Sequence, residues 1–160
     1  MTLDNSKTII SVRIKLFFAT VIMLTWVALV YIAKLIKFPL LGIDDSIWTL
    51  MLVVIYIVLA FLPNILNYQF FSYSDESENL VFRYFNAGIV GGKKNSVEIH
   101  KPGFAGFRIE SKFLGLNKSL VLFQKLGKSV AKFPPIYISA LSGDQQAKLI
   151  KALSSFGPVM

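Results

Sequence analysis

Ile47-Trp48-Thr49-Leu50-Met51-Leu52-Val53-Val54-Ile55-Tyr56-Ile57-Val58-Leu59-Ala60-Phe61-Leu62 is the stretch that decides the architecture. It lies inside Ser46–Ser74, a run of 29 consecutive residues without a formal charge. At about 1.5 Å of rise per residue, a helix over Ile47–Leu66 is roughly 30 Å long, the thickness of a bilayer's hydrocarbon core. After Pro63 the character changes. Asn67-Tyr68-Gln69-Phe70-Phe71-Ser72-Tyr73-Ser74 reads as strand, so a membrane helix hands directly into a β domain.

A second apolar run precedes this one. Leu16–Ala33 holds 18 uncharged residues, about 27 Å as helix. Lys34 and Lys37 follow it, and both can snorkel to headgroups with Tyr31 at the same level. Arg13, Lys15 and Trp48 are the further interface anchors. A cleaved signal peptide has an apolar core of about 7–15 residues and a small-residue cleavage site. This run is longer and no Ala-x-Ala ends it, so it is read as a retained helix. Pro39 is expected to stop the first helix, because it lacks an N–H and disfavours helix in the residue before it. Asp44, Asp45 and Ser46 suit a helix start. The expected helices, 14–36 and 46–66, form an antiparallel transmembrane hairpin over 16–66. Residues 1–15 read as a polar tail with Lys7, Arg13, Lys15 and one acid, Asp4, and no stable fold is expected before Ile9.

Composition agrees. The chain has 160 residues, 54% of them hydrophobic, and a mean hydropathy of +0.60. An ordinary soluble domain is about 45–50% apolar with glycine included. There is no cysteine, which excludes disulfides and thiolate metal sites and fits a reducing compartment. Net charge is +8, and residues 68–160 carry 12 Lys+Arg against 6 Asp+Glu. That excess favours anionic partners, an acidic lipid surface first. It also orients the chain. The positive-inside rule places both termini in the cytoplasm and the short loop outside, in an inner (cytoplasmic) membrane protein with two helices.

Residues 67–160 are expected to form one cytoplasmic domain of seven short strands and a helix. Gln69–Tyr73 and Leu80–Phe85 form a hairpin, with Asp75-Glu76-Ser77-Glu78-Asn79 as a solvated polar turn. That turn lacks the central glycine and distant glutamate of a Ca²⁺ loop. Asn86–Asn95 holds glycines and then Lys93-Lys94, but Ala87 stands at the first glycine position of a phosphate loop and Lys94 where Ser or Thr would meet Mg²⁺. It reads as a turn with a basic tip. Strands follow at Ser96–His100, Phe104–Glu110, Leu120–Lys125, Ser129–Phe133 and Ile136–Ser139. Phe113–Lys118 is a loop with Gly115 and Asn117. Pro134-Pro135 belongs at a strand edge or bulge. Gln146, Leu149, Ile150, Leu153 and Phe156 keep the spacing of one buried helical stripe, capped by Ser142 or Asp144 and ended by Gly157-Pro158.

Phe71-Ser72-Tyr73-Ser74-Asp75-Glu76, Leu80-Val81-Phe82-Arg83-Tyr84-Phe85 and Lys132-Phe133-Pro134-Pro135-Ile136-Tyr137-Ile138-Ser139-Ala140-Leu141 carry a resemblance. Tyr68–Phe156 resembles the bacterial pleckstrin-homology-like (PH-like) domains that follow one or two membrane helices. The resemblance implies an α+β chain: a transmembrane hairpin, then a seven-stranded antiparallel sandwich or barrel capped by a C-terminal helix. It implies fold and placement rather than an activity. Eukaryotic relatives bind phosphoinositides through a basic first hairpin loop; here that loop is acidic.

No catalytic, metal or cofactor site is expected. His100 is the single histidine, with no cysteine to share a metal, and reads as a structural histidine. No carboxylates pair at a recognisable spacing. The apolar runs carry no ionisable residue, which argues against a pump or carrier. Aromatic strands interleaved with basic residues can bind single-stranded nucleic acid, but packing explains them better beside a bilayer anchor. Neither run contains a Gly-x-x-x-Gly association motif. The expected function is a non-enzymatic, membrane-anchored adaptor that binds a protein partner or membrane complex. The alternative is anionic-lipid sensing through Lys93, Lys94, Lys112, Lys118, Lys125, Lys128 and Lys132.

Overall fold

The computed structural model describes residues 1–87 and 92–160. The chain divides into two units. One is Ile10–Pro63; the other combines Met1–Ile9 with Asn64–Met160.

The helical unit contains most of α1 (Ser6–Val27) and α2 (Asp45–Ile65). α1 runs on into one π-helical turn, Ala28–Ile32, where the Ala33 N–H donates to the Ala28 carbonyl at 2.8 Å. The first helix therefore starts earlier than expected and ends at Ile32, well before Pro39. The backbone has left helical geometry by Lys34, whose φ is 51°. α2 matches its expected span within a residue, with Asp45 in its first turn, where the helix dipole favours a carboxylate. Ser6–Ile32 and Asp45–Ile65 are both long and apolar enough to cross a membrane. Their large side chains point outward: Leu24 is 65% exposed and Leu50 63%. Water rarely faces so continuous an apolar surface, and the arrangement is compatible with membrane anchoring. The polar groups pair across the hairpin. Thr49 Oγ1 accepts from Trp26 Nε1 at 3.0 Å and meets the Tyr31 hydroxyl at 2.8 Å; Thr20 Oγ1 meets the Tyr56 hydroxyl at 3.1 Å.

The other unit is antiparallel sheet with a helix. β1 (Thr2–Asp4), β2 (Gln69–Ser74), β3 (Asn79–Asn86) and β4 (Asn95–His100) form one sheet in that order. β5 (Phe104–Lys112), β6 (Asn117–Leu126), β7 (Ser129–Lys132) and β8 (Ile136–Tyr137) form the second. β7 and β8 both pair with β6. The register slips by one residue between Phe123↔Lys132 and Leu120↔Ile136, with Pro134-Pro135 at the slip, where no ladder N–H is lost. Alternate residues fill one core: Phe71 and Tyr73, Leu80 and Phe82, Val97 and Ile99, Leu120 and Leu122. α3 (Gly143–Ser154) closes it with Leu149 and Leu153. Ser142 is its cap, in a capping box with Gln145. Residues 88–91, the glycine part of the expected Asn86–Asn95 turn, lie outside the described residues.

The N-terminal tail is the main correction. It is not unstructured before Ile9: it supplies β1, an eighth strand beyond the seven expected, paired Thr2↔Ser74, Leu3↔Tyr73 and Asp4↔Ser72. Asn5 is fully buried. Its Nδ2 donates to the Gln69 carbonyl at 2.8 Å, and its Oδ1 accepts from the Phe71 N–H at 2.9 Å. The side chain thus stands in for one more residue of strand. Asp4 then turns the chain into α1 by accepting from the Ser6 N–H and hydroxyl.

Three outcomes follow from these contacts. Asn5→Ala leaves a buried N–H and a buried carbonyl unpaired, a loss of about 3 kcal/mol. Thermal unfolding of the full chain in detergent should drop far more than for Asn64→Ala, a surface change. Thr49→Val removes the partner of Trp26 and Tyr31 and should cost roughly 1 kcal/mol of hairpin stability, read by unfolding in mixed micelles. The bonds from the Ser6 hydroxyl and N–H hold the Asp4 carboxyl below its ordinary value. A depressed carboxylate stabilises above its unfolded pKa, so its contribution is lost as pH falls from there through the folded value. Amide exchange at Thr2–Asp4 should quicken over that acid range, and less so in Asp4→Asn.

Candidate functional site

Because Phe71, Tyr73, Leu80 and Phe82 face the core, period-two alternation turns Phe70, Ser72, Val81, Arg83 and Phe85 to the opposite face of the first sheet. Register then sets Arg83 between Ser72 of β2 and Ser96 of β4, and Phe70 opposite Phe85. The two rings stack at 4.6 Å with their planes 21° apart. Lys94, Asn95 and Ser96 complete the wall of a groove of about 360 Å³ with Phe70, Arg83 and Phe85. Arg83 and Lys94 are exposed. Among the described residues the one ion pair joins the Met1 ammonium to Asp75, so no described carboxylate is in ion-pair contact with either groove cation. A planar guanidinium fork, a nearby ammonium and a stacked aromatic wall suit a carboxylate or phosphate group that has an apolar neighbour.

Arg83 was missing from the sequence-derived candidates. Its signal lay in the phase of Leu80-Val81-Phe82-Arg83-Tyr84-Phe85, where inward Leu80 and Phe82 leave Arg83 outward beside Phe85. The seven candidate lysines do not form one patch. Lys93 and Lys94 lie at the start of β4, and Lys112 at the end of β5; all three are exposed. Lys118 is half-buried and donates to Gln146 Oε1 of α3 at 3.0 Å. Lys125, Lys128 and Lys132 are exposed on the β6–β7 hairpin, at the other end of β6. Of the expected interface anchors, Arg13 and Lys15 lie on α1, Lys34 and Lys37 in the connection, Tyr31 in the π-helical turn and Trp48 in the first turn of α2, where its Nε1 donates to the Leu40 carbonyl at 3.3 Å.

The acidic turn is not merely solvated. Thr2 Oγ1 donates to Glu76 Oε1 at 2.6 Å, and the Met1 ammonium donates to Asp75. Lys101 Nζ donates to the Asp75 carbonyl at 2.8 Å and lies 5.3 Å from the centre of the Phe156 ring. Burial pushes the Tyr73 hydroxyl pKa up, and the neighbouring Asp75 charge adds to it. Burial would also raise Asp75. Hydrogen bonds from the ammonium and Tyr73, with the Met1 and Lys101 charges, outweigh that and hold it below its ordinary value. His100 is exposed, its Nδ1 3.2 Å from Asn79 Oδ1. The depression beside it is lined by Glu76, Ser77, Glu78, His100, Lys101 and Pro102. Its carboxylates oppose an anion, and its lysine already has partners. No cluster of three metal-ligating side chains occurs among the described residues.

No family model, curated protein or solved structure matches the chain.

The Asp75 contacts carry a mutational outcome. Lys101→Met removes one charge that lowers Asp75 and one bond to its carbonyl, so the Asp75 carboxyl should titrate at higher pH than in the parent chain. Carboxyl carbon chemical shifts followed against pH measure this; an unchanged midpoint would remove Lys101 from the account.

Proposed function

We propose that this chain is a membrane-anchored, non-enzymatic adaptor whose β1–β4 groove takes an acidic segment of a protein partner. The observation that carries the reading is the pair Arg83 and Lys94, exposed beside stacked Phe70 and Phe85 with no carboxylate of the described chain upon them. Within the proposal the β unit is a PH-like domain. Two antiparallel sheets followed by one helix support that, and β1 is an addition to the pattern. The domain is placed at the cytoplasmic face of the inner membrane. Chain from both sides of the hairpin belongs to one folded unit, which favours entry and exit of the hairpin on one face of the bilayer, and the excess of Lys and Arg favours the cytoplasmic one. Anchoring confines the groove to two dimensions beside its partners and raises its effective concentration. The lipid alternative is favoured only at Lys93, Lys94 and Lys112, exposed on hairpin ends away from Lys125, Lys128 and Lys132.

Gentle detergent extraction of the tagged full chain, beside an Arg83→Glu/Lys94→Glu variant, tests the adaptor reading. A stoichiometric protein partner that falls at least tenfold in the variant, about 1.4 kcal/mol, is the expected result. A partner retained equally by both chains, or none from either, would reject it.

A further inference from the structure

The turn between β5 and β6 is Phe113-Leu114-Gly115-Leu116, and it points three large apolar side chains into solvent. Phe113 is 74% exposed, Leu114 105% and Leu116 63%. Turn tips normally carry Gly, Asn, Asp or Ser. Phe113 and Leu114 also hold φ values of 50° and 54°, a left-handed region that bulky residues seldom adopt. Nothing in the core uses these side chains, yet the backbone is bent to present them. Such bends gather where a segment has a function.

The position of the tip in the β unit says what covers it. Lys118, just past the tip, is bonded to the segment after β8: its N–H donates to Ser139 Oγ at 2.9 Å, and its carbonyl accepts from the Ile138 N–H at 2.9 Å. Ala140, one residue on, packs in one cluster with Ile9 and Ala87, against Tyr68 and Phe70. Ile9 is the last residue of this unit before the chain enters the apolar helical segment, and Tyr68 comes just after the chain returns at Asn64. The exposed tip, the departure point and the return point therefore share one end of the β unit. Lys112, beside the tip, and Lys93 and Lys94, at the start of β4, are exposed.

We propose that the β5–β6 tip is a membrane-insertion wedge, with Phe113, Leu114 and Leu116 seated in the interface of the bilayer that holds the chain's own helices. The proposal rests on the anchoring reading of those helices. Lys112 snorkels to anionic headgroups, and the apolar side chains reach the headgroup–acyl boundary, about 5–10 Å deep for interfacial apolar groups. The wedge is a third attachment beside the two chain connections.

The chain has no cysteine, so single substitutions place one label each. Leu114→Cys, Phe113→Cys, Lys128→Cys and Val54→Cys are spin-labelled in the full chain and reconstituted into vesicles of phosphatidylcholine with phosphatidylglycerol. Accessibility to dioxygen is compared with accessibility to a water-soluble nickel chelate. Labels at 113 and 114 should favour dioxygen severalfold over the label at 128, on the far hairpin. Val54, within α2, reports anchoring independently. Lipid exposure at 54 with a water-exposed label at 114 would overturn the wedge and leave anchoring intact; water exposure at 54 would overturn both. Spin–spin broadening at 114 that vanishes on dilution with unlabelled chain would assign the tip to a second copy and also overturn the wedge.

Discussion

The Asn5 side-chain amide, donating one hydrogen bond to β2 and accepting another from it, ties the segment before the two helices to the sheet that follows them. Through these bonds the backbone of β2 finds a partner beyond the end of β1, and the first residues of the chain join the same sheet as residues far along it. The helices are an insertion into a domain rather than a leader in front of one. Remove that stitch, and β2 becomes an edge with open N–H and carbonyl groups, the part of a sheet most prone to pair wrongly. α1 also loses its start, because Asp4, which accepts from Ser6, sits on the same short strand.

The apolar helices were legible because uncharged runs need no partner to be recognised. The strands after residue 68 were legible from alternation and from Gly and Pro between them. The interruption at Pro134-Pro135 was legible from the missing N–H, whereas the pairing of both flanking strands with β6 was not. β1 was not legible: Thr2-Leu3-Asp4 is too short to show a period, and its partner lies beyond two helices. The early end of the first helix was hidden for a related reason. The bond from Ala33 to Ala28 forms among ordinary helix formers, with no Gly or Pro to announce it.

The candidate site was partly legible. Counting lysines gives a charge but not an address, and the fold sends them to separate hairpin ends. Lys118 is further withdrawn into a bond with α3. Arg83 sits in a strand whose neighbours are aromatic, so composition alone folds it into the core pattern, while register turns it outward. The Phe113–Leu116 turn was readable as a loop from Gly115 and Asn117, but its exposure depends on what the rest of the domain leaves uncovered.

The insertion also orders events during synthesis. Thr2-Leu3-Asp4 is made before both helices, and its pairing partner Ser72-Tyr73-Ser74 only after them. The first strand must wait, unpaired, while both helices are made. The β1–β4 sheet then closes around an inserted helical segment and is complete only when the chain has returned from it. The buried Asn5 amide therefore finds its partners only after the chain has passed through both helices and returned at β2.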